Sequence, residues 1–411
     1  GEWLLKACDD INGLSGSLIY VKIFFTACPR PTALAASTPT VNGATLNWTE
    51  NGNATAWDFE FQPVGTPATG VPTVTGATSK PYVWTGGSPF TNYQAWVRSN
   101  CGGSVSGWTG PVTFVTHLSN SAPVCASAAI PDPGCLILPL TVSGVTGNTL
   151  GTDIFLDKVE LIVQHPRDSD VDIYLRSPNG TEIDLSSDNG GSGDHYGNPA
   201  ACPTQVTSFA TWANTSITAG TAPYIGTYLP EVPFSSLNGS AANGDWFFSV
   251  CDDASGSPGS FIYAKLFFTT CPRPGSLVSS NPTLHGATID WTENGAATSW
   301  DMEFQPLGSA QTGIPNVTGT SSKPYTWTSG ASFTNYQVWV RSNCGGSVSE
   351  WIGPVTFLTT IDNAAQPCLS LPIPDNGCVV LPVTVSGAPG NTLGTDVHLE
   401  KVDLIVQHAR D

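Results

Sequence analysis

Carboxylates placed at turns are the residues of this chain with the clearest chemical potential. Asp188 and Asp194 bracket Asn189-Gly190-Gly191-Ser192-Gly193, Asp252 and Asp253 open another loop, and Asp168, Asp170 and Asp172 form a third acidic cluster. Calcium is held by about six to eight oxygens drawn from carboxylates and backbone carbonyls, often in Gly-rich loops. These seven aspartates are therefore candidate calcium ligands, with Asp170 and Asp172 expected on one face of a strand by alternation. Carboxylates that cap turns or stay solvated would leave the same pattern, so both readings stand. Asn-x-Ser/Thr triplets at Asn47, Asn53, Asn179, Asn214, Asn238 and Asn316 are candidate glycosylation sites.

The positions of the cysteines disclose an internal order. Shifting the chain by 243 residues lays Gly1 on Gly244, Trp48 on Trp291, Cys101 on Cys344 and Asp168 on Asp411 without a gap. About two positions in three are then identical, and a fixed period of this kind marks a modular array. Six cysteines fall in one period, Cys125, Cys135, Cys202, Cys251, Cys271 and Cys344, and the total of 11 leaves Cys8 as the expected orphan. The 411 residues are expected to be an excerpt of a longer array, or two turns of a filament. The same register argues against catalysis. A Ser-His-Asp triad needs an oriented base beside its nucleophile, yet only His165 among the six histidines has a His counterpart, His408, and the Gly-x-Ser sites sit in turn-like runs. No catalytic residue is expected.

Composition narrows the class further. Hydrophobic residues make up 40% of the chain and charged residues 11%, enough for real cores and too apolar for disorder. A net charge of -18 with 14 basic residues disfavours nucleic acid, which requires clustered Lys and Arg. Recurring cysteines in a strand-rich chain imply an oxidising, extracellular or cell-surface location. No apolar run approaches the ~20 residues needed to span a bilayer as a helix.

The elements that must position these residues are strands. Ala44, Leu46 and Trp48 alternate, as do Trp57, Phe59 and Phe61, and then Tyr93, Ala95 and Val97, which gives the inward faces of a sandwich. Trp96 alternates outward beside Arg98, as a cover over neighbouring strands or as a platform for a surface glycan. Val159, Leu161 and Val163, then Val171, Ile173 and Leu175, then Trp246, Phe248 and Val250 alternate likewise. The fold class is all-β, with two kinds of sandwich alternating in the 243-residue repeat.

The shorter module, with a Trp on an early strand, Phe90-Thr91-Asn92-Tyr93 opening a late one and Pro111-Val112-Thr113-Phe114 closing it, resembles a fibronectin type III domain of bacterial type. The longer one carries Asp170 to Leu175, Ser177-Pro178-Asn179-Gly180-Thr181, the Gly-rich loop, Gly226-Thr227-Tyr228-Leu229-Pro230 and Gly244-Asp245-Trp246 in order. It resembles the P-domain of proprotein convertases and secreted bacterial proteases, although Ser208 to Ala213 stands where the resemblance implies an acidic stretch. The expected organisation is 1–27 closing strands of a P-domain, 28–117 fibronectin type III, 118–270 a complete P-domain, 271–360 fibronectin type III and 361–411 the opening strands of a further P-domain.

The fibronectin resemblance implies bridges Cys28–Cys101 and Cys271–Cys344, because chain entry and the loop after the Tyr strand share a pole in that fold. Four cysteines of the longer module allow three pairings. Cys125–Cys135, across a Pro-rich turn, with Cys202–Cys251 is the expected one, and Cys368–Cys378 follows as the counterpart. Joints such as Cys271-Pro272-Arg273-Pro274 are short and stiffened by proline. A semi-rigid extracellular fibre, with copies of itself as partners, is the expected function. A non-catalytic region of a subtilisin-like protease or a glycan-binding adhesin would share these modules.

Overall fold

The computed structural model describes residues 2–8, 16–363, 372–385, 388, 390 and 392–407. Its regular structure is all-β, with only single-turn 3-10 segments beside the strands, and it divides into two compact units, 1–118 and 119–411.

In the first unit, Thr32–Thr40, Gly43–Thr49 and Tyr82–Trp84 form one sheet, and Val74–Ala77, Ala56–Pro63, Asn92–Asn100 and Thr109–Val115 form the other in that order. The three-plus-four arrangement is fibronectin type III-like. Leu46, Phe59, Ala95 and Val97 are fully buried between the sheets, because two-residue alternation sends each to the inner face. Phe61 stacks on Trp84 with ring centroids 4.0 Å apart, and Trp48 meets Trp57 edge-on at 4.9 Å. Residues 2–8 and 16–26 form no strand, and Trp3, Leu5, Tyr20 and Phe25 are exposed.

The second unit contains two sandwiches. In the central one, Glu182–Ser187, Val171–Arg176, Gly244–Asp252 and Gly134–Val142 lie side by side, and Gly226–Tyr228, Thr207–Phe209, Phe155–Gln164 and Ser260–Thr269 lie opposite. Leu140, Leu161, Ile173, Trp246 and Phe248 are fully buried. The following sandwich repeats the arrangement of the first unit, with Phe304 stacked on Trp327 at 4.2 Å where Phe61 meets Trp84.

Bridges Cys28–Cys101 and Cys271–Cys344 are present. The central module is paired differently from expectation, as Cys125–Cys202 and Cys135–Cys251. Sheet register is the reason: Gly134–Val142 runs antiparallel to Gly244–Asp252 with Cys135 directly opposite Cys251, which leaves neither Cys125 nor Cys202 in reach of those partners. Cys202 instead packs beside Ile162, Ile262 and Tyr263, and the neighbouring Ala126 bonds to the Ile262 carbonyl. Cys368 lies outside the described residues, so the expected Cys368–Cys378 bridge does too.

Trp96 also departs from one reading of it. It points away from the inter-sheet core as alternation requires, yet it is only 9% exposed. Gly110 lies so close that a Cβ there would sit 2.9 Å from the Trp96 ring. A ring covered in this way cannot serve as a sugar platform. Around it, buried Asp58 accepts from Arg98 and Asn100, and buried Glu60 accepts from the backbone of Thr69 and Gly70. The outer face of this sheet carries a satisfied polar network.

Candidate functional site

The Gly-rich loop closes over the turn Asp168–Asp170, which links Phe155–Gln164 to Val171–Arg176. The Asp168 amide donates to the Gly193 carbonyl at 2.9 Å and the Ser169 amide to that of Gly191 at 3.2 Å. This zipping buries Asp168 completely, and neither carboxylate oxygen has a hydrogen-bond partner. Burial, countered in part by the His195 N–H and reinforced by the charge of Asp194, raises its carboxyl to about 7. The His195 N–H is itself bonded to the His165 carbonyl at 3.1 Å, so it offers Asp168 a dipole rather than a bond.

Two glycines make room for this carboxylate. A Cβ on Gly190 would lie 2.8 Å from both the Asp168 Cβ and the Tyr224 hydroxyl, and 3.2 Å from Asp168 Oδ2. Gly190 also has a φ of +85°, which a side chain would strain. On Gly193 a Cβ would lie 2.5 Å from Ala222 and 3.6 Å from the same oxygen. Beside it Ser192, Asp194, His195 and Pro223 line a shallow cleft. An uncompensated carboxylate in low dielectric attracts a cation. The carboxylates of Asp168 and Asp194 and the loop carbonyls are oxygen donors of the kind that suits a hard ion such as calcium.

The seven predicted aspartates do not converge on that point. Among the described residues no three His, Cys, Asp or Glu side chains gather to hold a metal. Asp252 is buried against His165, whose Nε2 lies 3.2 Å from Asp252 Oδ2, and it also accepts from the Ala254 amide. Asp170 pairs with Arg167 and belongs to the turn, not to the strand face expected to carry it with Asp172. Asp172 accepts no such pairing, and burial, then the charge of Asp188, raises its carboxyl. Asp188, Asp194 and Asp253 are exposed, and Asp188 adopts a left-handed φ of +55°. Both nitrogens of His165 are engaged, the other lying 2.6 Å from the Arg167 carbonyl, so no free base stands there. All six sequon asparagines are exposed.

A second arrangement went unread in the sequence. Arg273, in the joint after Cys271, lies 4.2 Å over the ring of Trp212. The Trp212 indole N–H donates to Asp157 at 3.1 Å. Burial raises the Asp157 carboxyl, against the opposing charge of Arg273 and the bond from Trp212. Gly275 then presses to within 3.2 Å, by its missing Cβ, of the Thr211 carbonyl. The stretch Ser208 to Ala213, which fails to match the acidic pattern of the P-domain resemblance, is thus the part that grips the next module. The only available signal was that mismatch.

No family model matches the chain, and no curated protein does. Similar solved structures include the FN1–FN3 domains of chicken CNTN1, at 7% identity over 80% of this chain and 98% of that one, with a TM-score of 0.20. A segment of two fibronectin type III domains from chicken tenascin matches at 11% identity, covering 80% of this chain and 100% of that one, with a TM-score of 0.19. Superpositions this loose carry no argument about function. Among the described residues no helix is long and apolar enough to cross a membrane.

Proposed function

We propose that this chain is a non-catalytic extracellular structural protein whose sandwiches are stacked into a rod or fibre. The observation that supports it best is the joint made by Trp212, Arg273 and Asp157, which ties the central sandwich to the one after it by stacking, a hydrogen bond and an opposite charge. Flanked by Pro272 and Pro274, whose rings fix φ, such a joint resists bending. Modules stacked in this manner add their nearest-neighbour contacts along an axis. The four disulfides among the described residues support the same reading, since bridges of this number belong to oxidising surroundings.

In this reading the central sandwich is of P-domain type and calcium at Asp168 is a structural ion that locks the Gly-rich loop. The flanking modules are of the fibronectin type III kind found in bacterial secreted proteins, and the exposed sequons are acceptors where the host has the machinery. The buried state of Trp96 argues against the glycan-binding alternative. Electron microscopy of the native material tests the proposal. Filaments with an axial period spanning two sandwiches are expected, and discrete globular particles would overturn it.

A further inference from the structure

The central sandwich carries its charges unevenly. Lys158 and Lys265 are the only lysines of residues 119–270, and both stand on the outer face of the sheet that holds Phe155–Gln164 and Ser260–Thr269. Alternation places them there, since Val159, Leu161, Ala264 and Leu266 are buried and fill the inner face. Register sets Lys158 opposite Phe267 and Lys265 opposite Glu160. The two ammonium groups lie 4.3 Å and 4.8 Å from the centre of the half-buried Phe267 ring. Lys158 also pairs with Glu160 at 2.5 Å, so these two facing pairs hold two cations against one carboxylate.

The opposite sheet presents the reverse balance. Val171, Ile173, Leu175, Ile183 and Leu185 are buried on its inner face, which turns Asp172, Tyr174, Arg176, Glu182 and Asp184 outward. Register aligns the outward residues into rows that cross four strands: Asp184, Tyr174, Ser249 and Ile137 form one, and Glu182, Arg176, Phe247 and Pro139 the next. Ile137 is 56% exposed. Arg176 is the only basic residue of these four strands, and it is held over the Phe247 ring at 4.6 Å. Asp184 Oδ1 is buried without a hydrogen-bond partner. Burial, with the charges of Glu231 and Asp172, outweighs the bond from Ser187 and raises the Asp184 carboxyl. An apolar strip of Ile137, Pro139 and Phe247 thus lies beside the carboxylates of Asp172, Glu182 and Asp184.

We propose that the outer face of the Gly244–Asp252 sheet in one copy of this chain docks on the outer face of the Ser260–Thr269 sheet in a second copy, Phe267 meeting the apolar strip and Lys158 and Lys265 meeting Glu182 and Asp184. Charge selects the occupant. Two acidic faces repel each other, whereas the lysine face of a second copy brings ammonium groups around an aromatic ring to carboxylates beside an apolar strip. The two faces lie on opposite sides of one sandwich, whose sheets are about 10 Å apart, so they cannot meet within one molecule. The contact is therefore heterologous and runs on sideways from copy to copy. A face of four short strands gives a weak contact by itself, which multiplies where rods bring several into register. The contact rests on the fibre reading above and names how one rod lies beside the next.

Carbodiimide coupling, which joins an amine directly to a carboxylate in contact with it, tests the proposal on the 411-residue chain at high concentration. Mixing unlabelled and isotopically labelled copies separates peptides joined between copies from those joined within one. Mixed-isotope peptides that link Lys158 or Lys265 to Glu182 or Asp184 are expected. Glu182→Lys with Asp184→Lys, and Lys158→Glu with Lys265→Glu, should each lose these links while far-ultraviolet circular dichroism stays that of the parent chain. An equimolar mixture of the two variants should regain them, between unlike copies alone. Lys265→Gln, which needs no charge reversal in the fold, should lower the coupling of Lys158 to both carboxylates. Lysines coupled only within their own copy, links between copies with no preference for Glu182 and Asp184, or reversed chains that couple as the parent does would each overturn the contact. Native filaments that lie singly and give no mixed links would sink the contact and leave the fibre reading standing. Globular native particles that give them would do the reverse.

Discussion

Arg273 lies 4.2 Å over the indole of Trp212, and that indole donates its N–H to Asp157 at 3.1 Å. One tryptophan therefore holds a cation on its face and an anion at its edge. Both charges come from different modules, so the three residues couple sandwiches that could otherwise unfold separately.

Replacing Trp212 with Ala is expected to uncouple them. A cation–π contact contributes about 0.5–2 kcal/mol, and a hydrogen bond to a charged group about 1.5–3 kcal/mol. Scanning calorimetry should show the transition of the second unit splitting into two. Arg273→Lys, which keeps charge but loses the planar stack, should give a smaller effect. An unsplit transition in Trp212→Ala would show that the modules do not communicate through this contact.

Asp168→Asn separates charge from shape. In chelated protein the substitution is expected to raise the melting temperature, since it removes a buried carboxylate with no partner. On adding calcium, the parent chain should gain about 2.7 kcal/mol when the ion is at about 100 times its Kd. The variant should gain nothing. Thermal melts of both proteins with and without calcium check the prediction, and equal gains would remove Asp168 from the site.

Acid should strike the fibronectin-like sandwiches through their outer faces. Burial alone would raise Asp58 and Glu60, but the bonds from Asn100, Gly76 and Arg98 to the first, and from Thr69, Gln62 and Gly70 to the second, outweigh it and hold both below their ordinary values of 3.8 and 4.5. Asp301 and Glu303 are lowered in the same way. A folded pKa below the unfolded one means that the unfolded chain binds more protons in the window between them, so stability rises with pH there. The contribution is complete above the ordinary carboxylate range and is lost as pH falls through the depressed values. Denaturant midpoints measured from pH 2 to 6 (a range of about 4 units) should drop steeply only at the acid end, and Glu60→Gln together with Glu303→Gln should flatten that drop.

Removing the Cys135–Cys251 bridge by double substitution to Ser should cost about 2–5 kcal/mol, because it closes a span of 116 residues and so restrains the unfolded chain strongly. Equilibrium unfolding of the second unit measures it. Peptide mapping of the parent chain supplies the independent check: Cys125 must be recovered with Cys202, and a Cys125–Cys135 peptide would contradict the fold.

The strand faces were legible without coordinates because the signal is local. Leu46, Phe59, Ala95, Val97, Leu161, Ile173 and Phe248 reach the core simply by occupying alternate positions, and the pleat enforces that wherever two sheets meet. Alternation says which side a residue faces, however, and not what lies over it. Trp96 faces outward as its place requires, yet Gly110 lies close against its ring and it is buried.

Sequence alone thus determined an all-β chain of sandwich-forming strands, since period-two patterning is a property of neighbours along the chain. Tertiary structure decided everything that depends on positions brought together from afar. Sheet register set Cys135 opposite Cys251, a buried turn left the Asp168 carboxylate without a hydrogen-bond partner, and the packing of one sandwich on the next gave Trp212 its partners. None of these can be read from spacing, because the free energy that selects them comes from burial and pairing between residues distant in the chain, 116 apart for Cys135 and Cys251 and 55 apart for Asp157 and Trp212.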